Sequence, residues 1–219
     1  MNSSTFASLL ETTAGLVLVC AVMTLWRRSL SAVVKTLAVQ GVALGAAALI
    51  LGLHHHDAGL VYVAGLVFVA KGAVIPILLN RVLARDSRSR ESTPLVNVPA
   101  SLVGAAGLTL LAYSATRPVE TLVPTASGRL VFLGLATVLV GFFSMVVRRK
   151  AVSQIVGLLL VDNGIALVAF LATAGVPLLV ELGASLDVLF VVVVLRVLAS
   201  NLWSEFGAFD LDQLRELRD

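Results

Sequence analysis

Lys71, Asp162 and Asp187 are ionisable residues set in stretches otherwise built from valine, leucine, alanine and glycine. A charge at membrane depth costs several kcal/mol, so it faces protein or water and often marks an ion path. Lys71 has a second feature beside it. Pro76 has no N–H to offer the carbonyl of Gly72, four residues earlier. The chain around Lys71 is therefore expected to open, as in the broken helices of transporters, where irregular backbone lines a cavity. A buried lysine can surrender its proton and an arginine cannot, which ranks Lys71 above Arg196 as a proton carrier. The competing expectation is a static ion pair from Lys71 to Asp162 or Asp187 that only fixes helix packing. Asp187 and Arg196 lie about half a turn out of phase at 100° per residue, so each needs a partner on another span. Asp162 and Asn163 occupy adjacent faces of one helix, and Gly157 and Gly164 beside them allow another helix to approach closely. The expected ion pathway is Lys71, Asp162 and Asp187, supported by Gly72, Pro76, Asn163 and Arg196.

Other chemistry is poorly served. His54, His55, His56 and Asp57 could ligate a metal, but three consecutive histidines do not share a helix face; the run reads as a short polar loop. Neither a Walker loop, a dinucleotide glycine pattern, paired cysteines nor a haem-ligand arrangement occurs. The single cysteine, Cys20, lies in an apolar run and has no partner for an intramolecular disulfide. No catalytic residue, metal or cofactor is expected on this chain, and any redox centre belongs to another polypeptide.

The elements that must position these residues are membrane spans. Of 219 residues 58% are hydrophobic and 13% charged, with mean hydropathy +1.00, whereas a soluble domain is about a quarter charged. Crossing the hydrocarbon takes about 20 mostly apolar residues. Seven stretches qualify, at about 5–26, 32–53, 59–83, 96–115, 127–147, 152–174 and 178–202. They lack the alternation of barrel strands, so the fold class is an all-α bundle of seven transmembrane helices. The first run carries no basic residue ahead of it and reads as a retained span rather than a signal peptide.

The basic residues sort by loop. Arg27 and Arg28, then Arg81, Arg85, Arg88 and Arg90, then Arg148, Arg149 and Lys150 fall in the odd-numbered loops, against only Arg117 and nearby Arg129 in the fourth. By the positive-inside rule those loops are cytoplasmic, the amino terminus is outside and the carboxyl terminus inside. The net charge of +3 therefore speaks for a bilayer and not for nucleic acid. A membrane domain over 1–202 is followed by a cytoplasmic tail over 203–219. In that tail Leu211, Leu214 and Leu217 recur every third residue and Asp210 can cap an amphipathic helix. A short internal match links Gln40-Gly41-Val42-Ala43-Leu44 to Asn163-Gly164-Ile165-Ala166-Leu167, as a direct repeat of three-helix units would.

The segment from Arg149 to Ile165 has a basic loop, then Ser153-Gln154, Gly157-Leu158, the acidic Asp162 and Asn163-Gly164. It resembles component E of hydrogenase-4 and related membrane-bound group 4 [NiFe] hydrogenases. More distantly it is similar to the K-type subunit of complex I and the C-type subunit of multisubunit cation antiporters. The resemblance implies a multi-pass subunit of the bacterial or archaeal cytoplasmic membrane, with other membrane and peripheral subunits as partners. It also implies that nickel–iron and iron–sulfur ligands lie on those partners. The family usually has glutamate where this chain has Asp162, which shortens the reach of a relay there by one methylene. Three functions compete: a subunit coupling electron transfer elsewhere to proton or sodium movement, a purely structural subunit of the same assembly, and a stand-alone transporter of a small solute.

Overall fold

A computed structural model describes residues 2–27, 29–85, 97–122, 124–148 and 151–173. Among them the chain is all helical: α1 (Ser3–Trp26), α2 (Leu30–His55), α3 (Ala58–Val69), a π-helical turn (Ala70–Val74), α4 (Ile75–Arg85), α5 (Val98–Leu122), a 3-10 turn (Gly128–Leu130), α6 (Val131–Val147) and α7 (Ala151–Thr173). Helices α3 and α4 join through the π turn into one rod, so six of these units are long and apolar enough to cross a membrane. The expected seventh span, 178–202, and the tail, 203–219, lie outside the described residues.

Two boundaries differ from expectation. Helix α2 runs through His55, and only His56, at φ 56 and ψ 33, turns the chain in the left-handed region. Asp57 then caps α3, its Oδ1 accepting from the N–H groups of Gly59 at 2.9 Å and Leu60 at 3.2 Å. The polar run at 54–57 is thus the end of one helix and the cap of the next, rather than a loop. Helix α5 continues beyond 115 to Leu122 and holds Pro118 inside it. Apolar residues thin out after Ala115, but helical hydrogen bonding does not need them. Arg117 covers the Tyr113 ring one turn back, 5.4 Å from its centroid.

Helices α6 and α7 form the most extensive pairing among the described elements, and glycine explains why. A Cβ at Gly164 would stand 2.6 Å from the Val138 amide nitrogen, and one at Gly141 would stand 2.8 Å from that of Val161. Gly134 and Gly157 repeat the contact one heptad away on each helix, so the two backbones meet directly.

The bundle has two ends. At one, Phe6 of α1 stacks on His54 of α2, with ring centroids 3.8 Å apart. At the other, Arg148 after α6 reaches the end of α1, donating from Nη2 to the carbonyls of Thr24 and, at 3.1 Å, Arg27. Those carbonyls are among the acceptors a helix terminus leaves without an internal donor. Each end has its own apolar core. Leu10, Leu44, Leu51, Leu60, Leu167 and Leu171 belong to the His54 end; Leu25, Val33, Leu37, Leu79, Leu159 and Leu160 belong to the Arg148 end.

Candidate functional site

Between the two apolar cores lies a polar layer. On α2 the cores are separated at Gln40 and Gly41, on the third span at Lys71, and on α7 at Asp162 and Asn163. Residues distant in sequence thus share one depth, because each interrupts its helix where the apolar pattern changes from one core to the other.

Lys71 Nζ is 2.7 Å from Asp162 Oδ2, with the two side chains 3% and 12% exposed. This joins the third span to α7. Beside it, Asn163 Nδ2 donates to Gln40 Oε1 at 2.9 Å, and Gln40 Nε2 donates to the Val17 carbonyl of α1 at 3.0 Å. Gln40 is fully buried and Asn163 nearly so. The layer therefore ties four spans together through one ion pair and two hydrogen bonds.

The backbone under Lys71 shows how Pro76 is accommodated. The chain does not break there: the helix widens to a π turn over Ala70–Val74, and the Ile75 N–H donates to the Ala70 carbonyl five residues back. One added residue per turn shifts the backbone where proline withholds its donor. Turns of this kind recur at functional sites. Gly41 makes room for the widened turn: a Cβ there would stand 2.5 Å from both the carbonyl carbon and the oxygen of Lys71. Gly72 answers from the other side, where a Cβ would be 3.1 Å from Val42 Cγ2.

Of the residues singled out from the sequence, Lys71, Gly72, Asp162 and Asn163 thus gather at one level of the bundle, and Pro76 follows in α4, beside Ile75 of the Arg148-end core. Asp187 and Arg196 lie outside the described residues. Gly157 and Gly164 face α6 rather than the Lys71 site. Among the described residues no group of histidine, cysteine or acidic side chains is placed to hold a metal ion.

Sequence reasoning passed over Gln40, Gly41 and Arg148. The signal for the first two was present in the internal match, which pairs Gln40 with Asn163; in the structure these two residues bond to each other. Helices α2 and α7 both start at the Arg148 end and run the same way, as a direct repeat requires. In the sequence Arg148 reads as a loop charge, whereas in the fold its side chain is buried and bonded to the end of α1.

No family model matches the chain, and no solved structure matches it. Hydrogenase-4 component E of Escherichia coli K12 is 27% identical over 151 residues, which is 69% of this chain and 70% of that protein. The proteins of the same name in Escherichia coli O157:H7 and Shigella flexneri match to the same extent. The match supports the resemblance read from the segment after Arg149. The uncharacterized protein Rv0085 of Mycobacterium tuberculosis is 47% identical over 220 residues and is covered from end to end, as is this chain. The chain thus belongs to the same family as Rv0085 and is a distant relative of hydrogenase-4 component E.

Proposed function

We propose that this chain is an integral membrane subunit of a hydrogenase-like, complex I-like respiratory assembly. In this reading it anchors partner subunits in the cytoplasmic membrane and contributes Lys71 and Asp162 to a proton or sodium route. The distant relationship to hydrogenase-4 component E supports the assembly. The observation that carries the route is the Lys71–Asp162 pair at 2.7 Å, held on a π turn between two apolar cores. Transfer of a proton from the lysine ammonium to the aspartate carboxylate leaves both neutral, and its return restores both charges. Net passage needs the protonated Asp162 to release its proton onward and the neutral Lys71 to take up another, which restores the ion pair. Asp187 extends the proposed route, with Arg196 supporting it. The loops carrying Arg28, Arg90 and Lys150 face the cytoplasm in this reading.

The Gln40–Asn163 bond favours a second reading, in which the polar layer only fixes the register of the spans. Ions moved per electron pair in reconstituted vesicles separate the two. Asp162→Asn and Lys71→Ala lower that ratio if the pair conducts, and leave it at the wild-type value if the pair only packs. Mild purification from the native membrane tests the assembly itself: a stand-alone carrier brings no redox subunits with it.

A further inference from the structure

The first half of α1 carries a polar stripe on its outward side, beside exposed apolar residues of the same helix such as Leu9, Leu16 and Val19. Ser4, Ser8 and Glu11 are exposed along one stripe at helical spacing, with Thr12 beside them. Gly15 continues the stripe, and a Cβ there would meet nothing within 4 Å. Thr12 returns its hydroxyl to its own helix, donating to the Ser8 carbonyl at 2.7 Å. Glu11 forms no salt bridge among the described residues. It stands fifteen residues before Trp26, which with Arg27 marks the other interface. That is about 22 Å of helix, short of the roughly 30 Å that a span crosses, so Glu11 falls within the hydrocarbon. Carboxylates at that depth face protein or water, not acyl chains. The stripe contrasts with the exposed Leu16 and Val19 further along α1 and with α5, which presents Val103, Leu110 and Leu111 outward, as a lipid contact should.

We propose that the Ser4–Ser8–Glu11–Gly15 face of α1 docks a transmembrane helix of another polypeptide. That helix carries a lysine or arginine level with Glu11 and a small residue facing Gly15. Charge complementarity selects this occupant. A second copy of the chain in parallel register would bring Glu11 against Glu11. The apolar stretch 178–202 of this chain has Glu181 and Asp187 in its first half and its cation, Arg196, only in its second. The open glycine allows the close approach that lets polar side chains bond between helices in a membrane.

Photo-crosslinking in the native membrane tests the proposal, using the full chain with a photoreactive residue at position 8 and, as control, at position 110. The expected result is one major adduct from position 8, mapped to a transmembrane segment bearing a basic residue, with position 110 labelling lipid. Glu11→Lys should cut that adduct at least tenfold and Glu11→Gln by a smaller factor. The reciprocal basic-to-acidic change in the partner should restore it in the Glu11→Lys background. An adduct confined to lipid, to a second copy or to 178–202 overturns the proposal, as does an adduct indifferent to Glu11→Lys. Redox subunits are sought in the same membranes after mild purification. Their presence without the position 8 adduct defeats this interface alone, whereas their absence defeats the assembly reading.

Discussion

Asn163 of α7 donates to Gln40 of α2 at 2.9 Å, and Gln40 passes the connection to the Val17 carbonyl of α1. The bond links two helices that run in the same direction, at the level where Lys71 and Asp162 also meet. A buried amide in an apolar bundle is costly unless its donors and acceptors are met. Here each amide meets the other, so the pair specifies register as well as contributing energy.

That arrangement makes a double-mutant cycle informative. Gln40→Leu and Asn163→Leu should each lower thermal stability in detergent, and the double variant should lose less than the sum. The expected coupling is about 1 kcal/mol, the scale of interhelical hydrogen bonds in membranes. Strict additivity of the two losses would remove the bond as a stabilising element.

Gly41 and Gly65 offer a matched pair of substitutions. A Cβ at Gly41 would overlap the Lys71 carbonyl, whereas one at Gly65 would meet nothing within 4 Å. Gly41→Ala should cost about 1–3 kcal/mol through overpacking, while Gly65→Ala should be neutral or slightly stabilising, since alanine favours helix. Equal melting temperatures for the two variants would show that the crossing of α2 over the π turn is loosely packed.

Why was Lys71 legible in the sequence and Gly41 not? A lysine in an apolar run violates composition locally, and Pro76 violates helical hydrogen bonding locally. Both can be read from a window of a few residues. Six of the expected spans could be read in the same way, because length and apolarity are local properties. The worth of Gly41 depends on which backbone passes it, a nonlocal fact that no periodicity records. Arg148 is similar: its charge is visible, but its burial against the end of α1 follows from the pairing of α6 with α1. The proline illustrates a third case. Its missing donor was legible, but whether the chain breaks or widens depends on the neighbours, and Gly41 and Gly72 leave space for a widened turn.

Arg148 closes the end of α1, so its removal should be felt there. Arg148→Met strips charge-assisted bonds from the Thr24 and Arg27 carbonyls, and about 2 kcal/mol of stability should be lost. Lysine at this position should recover only part, because it lacks the forked donors of arginine. Arg117→Met, at an exposed position, removes only the contact with the Tyr113 ring and should change stability by about 0.5–1 kcal/mol. Thermal unfolding of the three variants in one detergent makes the comparison.

Orientation has its own check. Reporter fusions after Arg90 and after Lys150 should read cytoplasmic, and a fusion after Asp57 should read external, following the basic loops. Fusions after Asp57 and Arg90 that report one side would contradict a third span crossing the membrane between them.

The Lys71–Asp162 pair gives the sharpest separation between conducting and packing. Removing one partner leaves the other charge buried, and breaking such a pair typically costs about 3–5 kcal/mol. Asp162→Asn and Lys71→Ala should therefore both lower the amount of assembled complex, whichever role the pair has. Assembly alone is not diagnostic, so coupling must be compared at equal amounts of complex. A conducting pair predicts fewer ions moved per electron pair, while electron transfer to an artificial acceptor continues because no redox ligand is expected on this chain. Asp162→Glu should retain coupling better than Asp162→Asn, since it keeps a titratable carboxyl within reach of Lys71. The double variant Lys71→Met with Asp162→Leu removes both charges together and should regain much of the stability lost by either single change. If that double variant assembles well and still moves the wild-type number of ions, the pair belongs to the packing of the bundle and the route lies elsewhere.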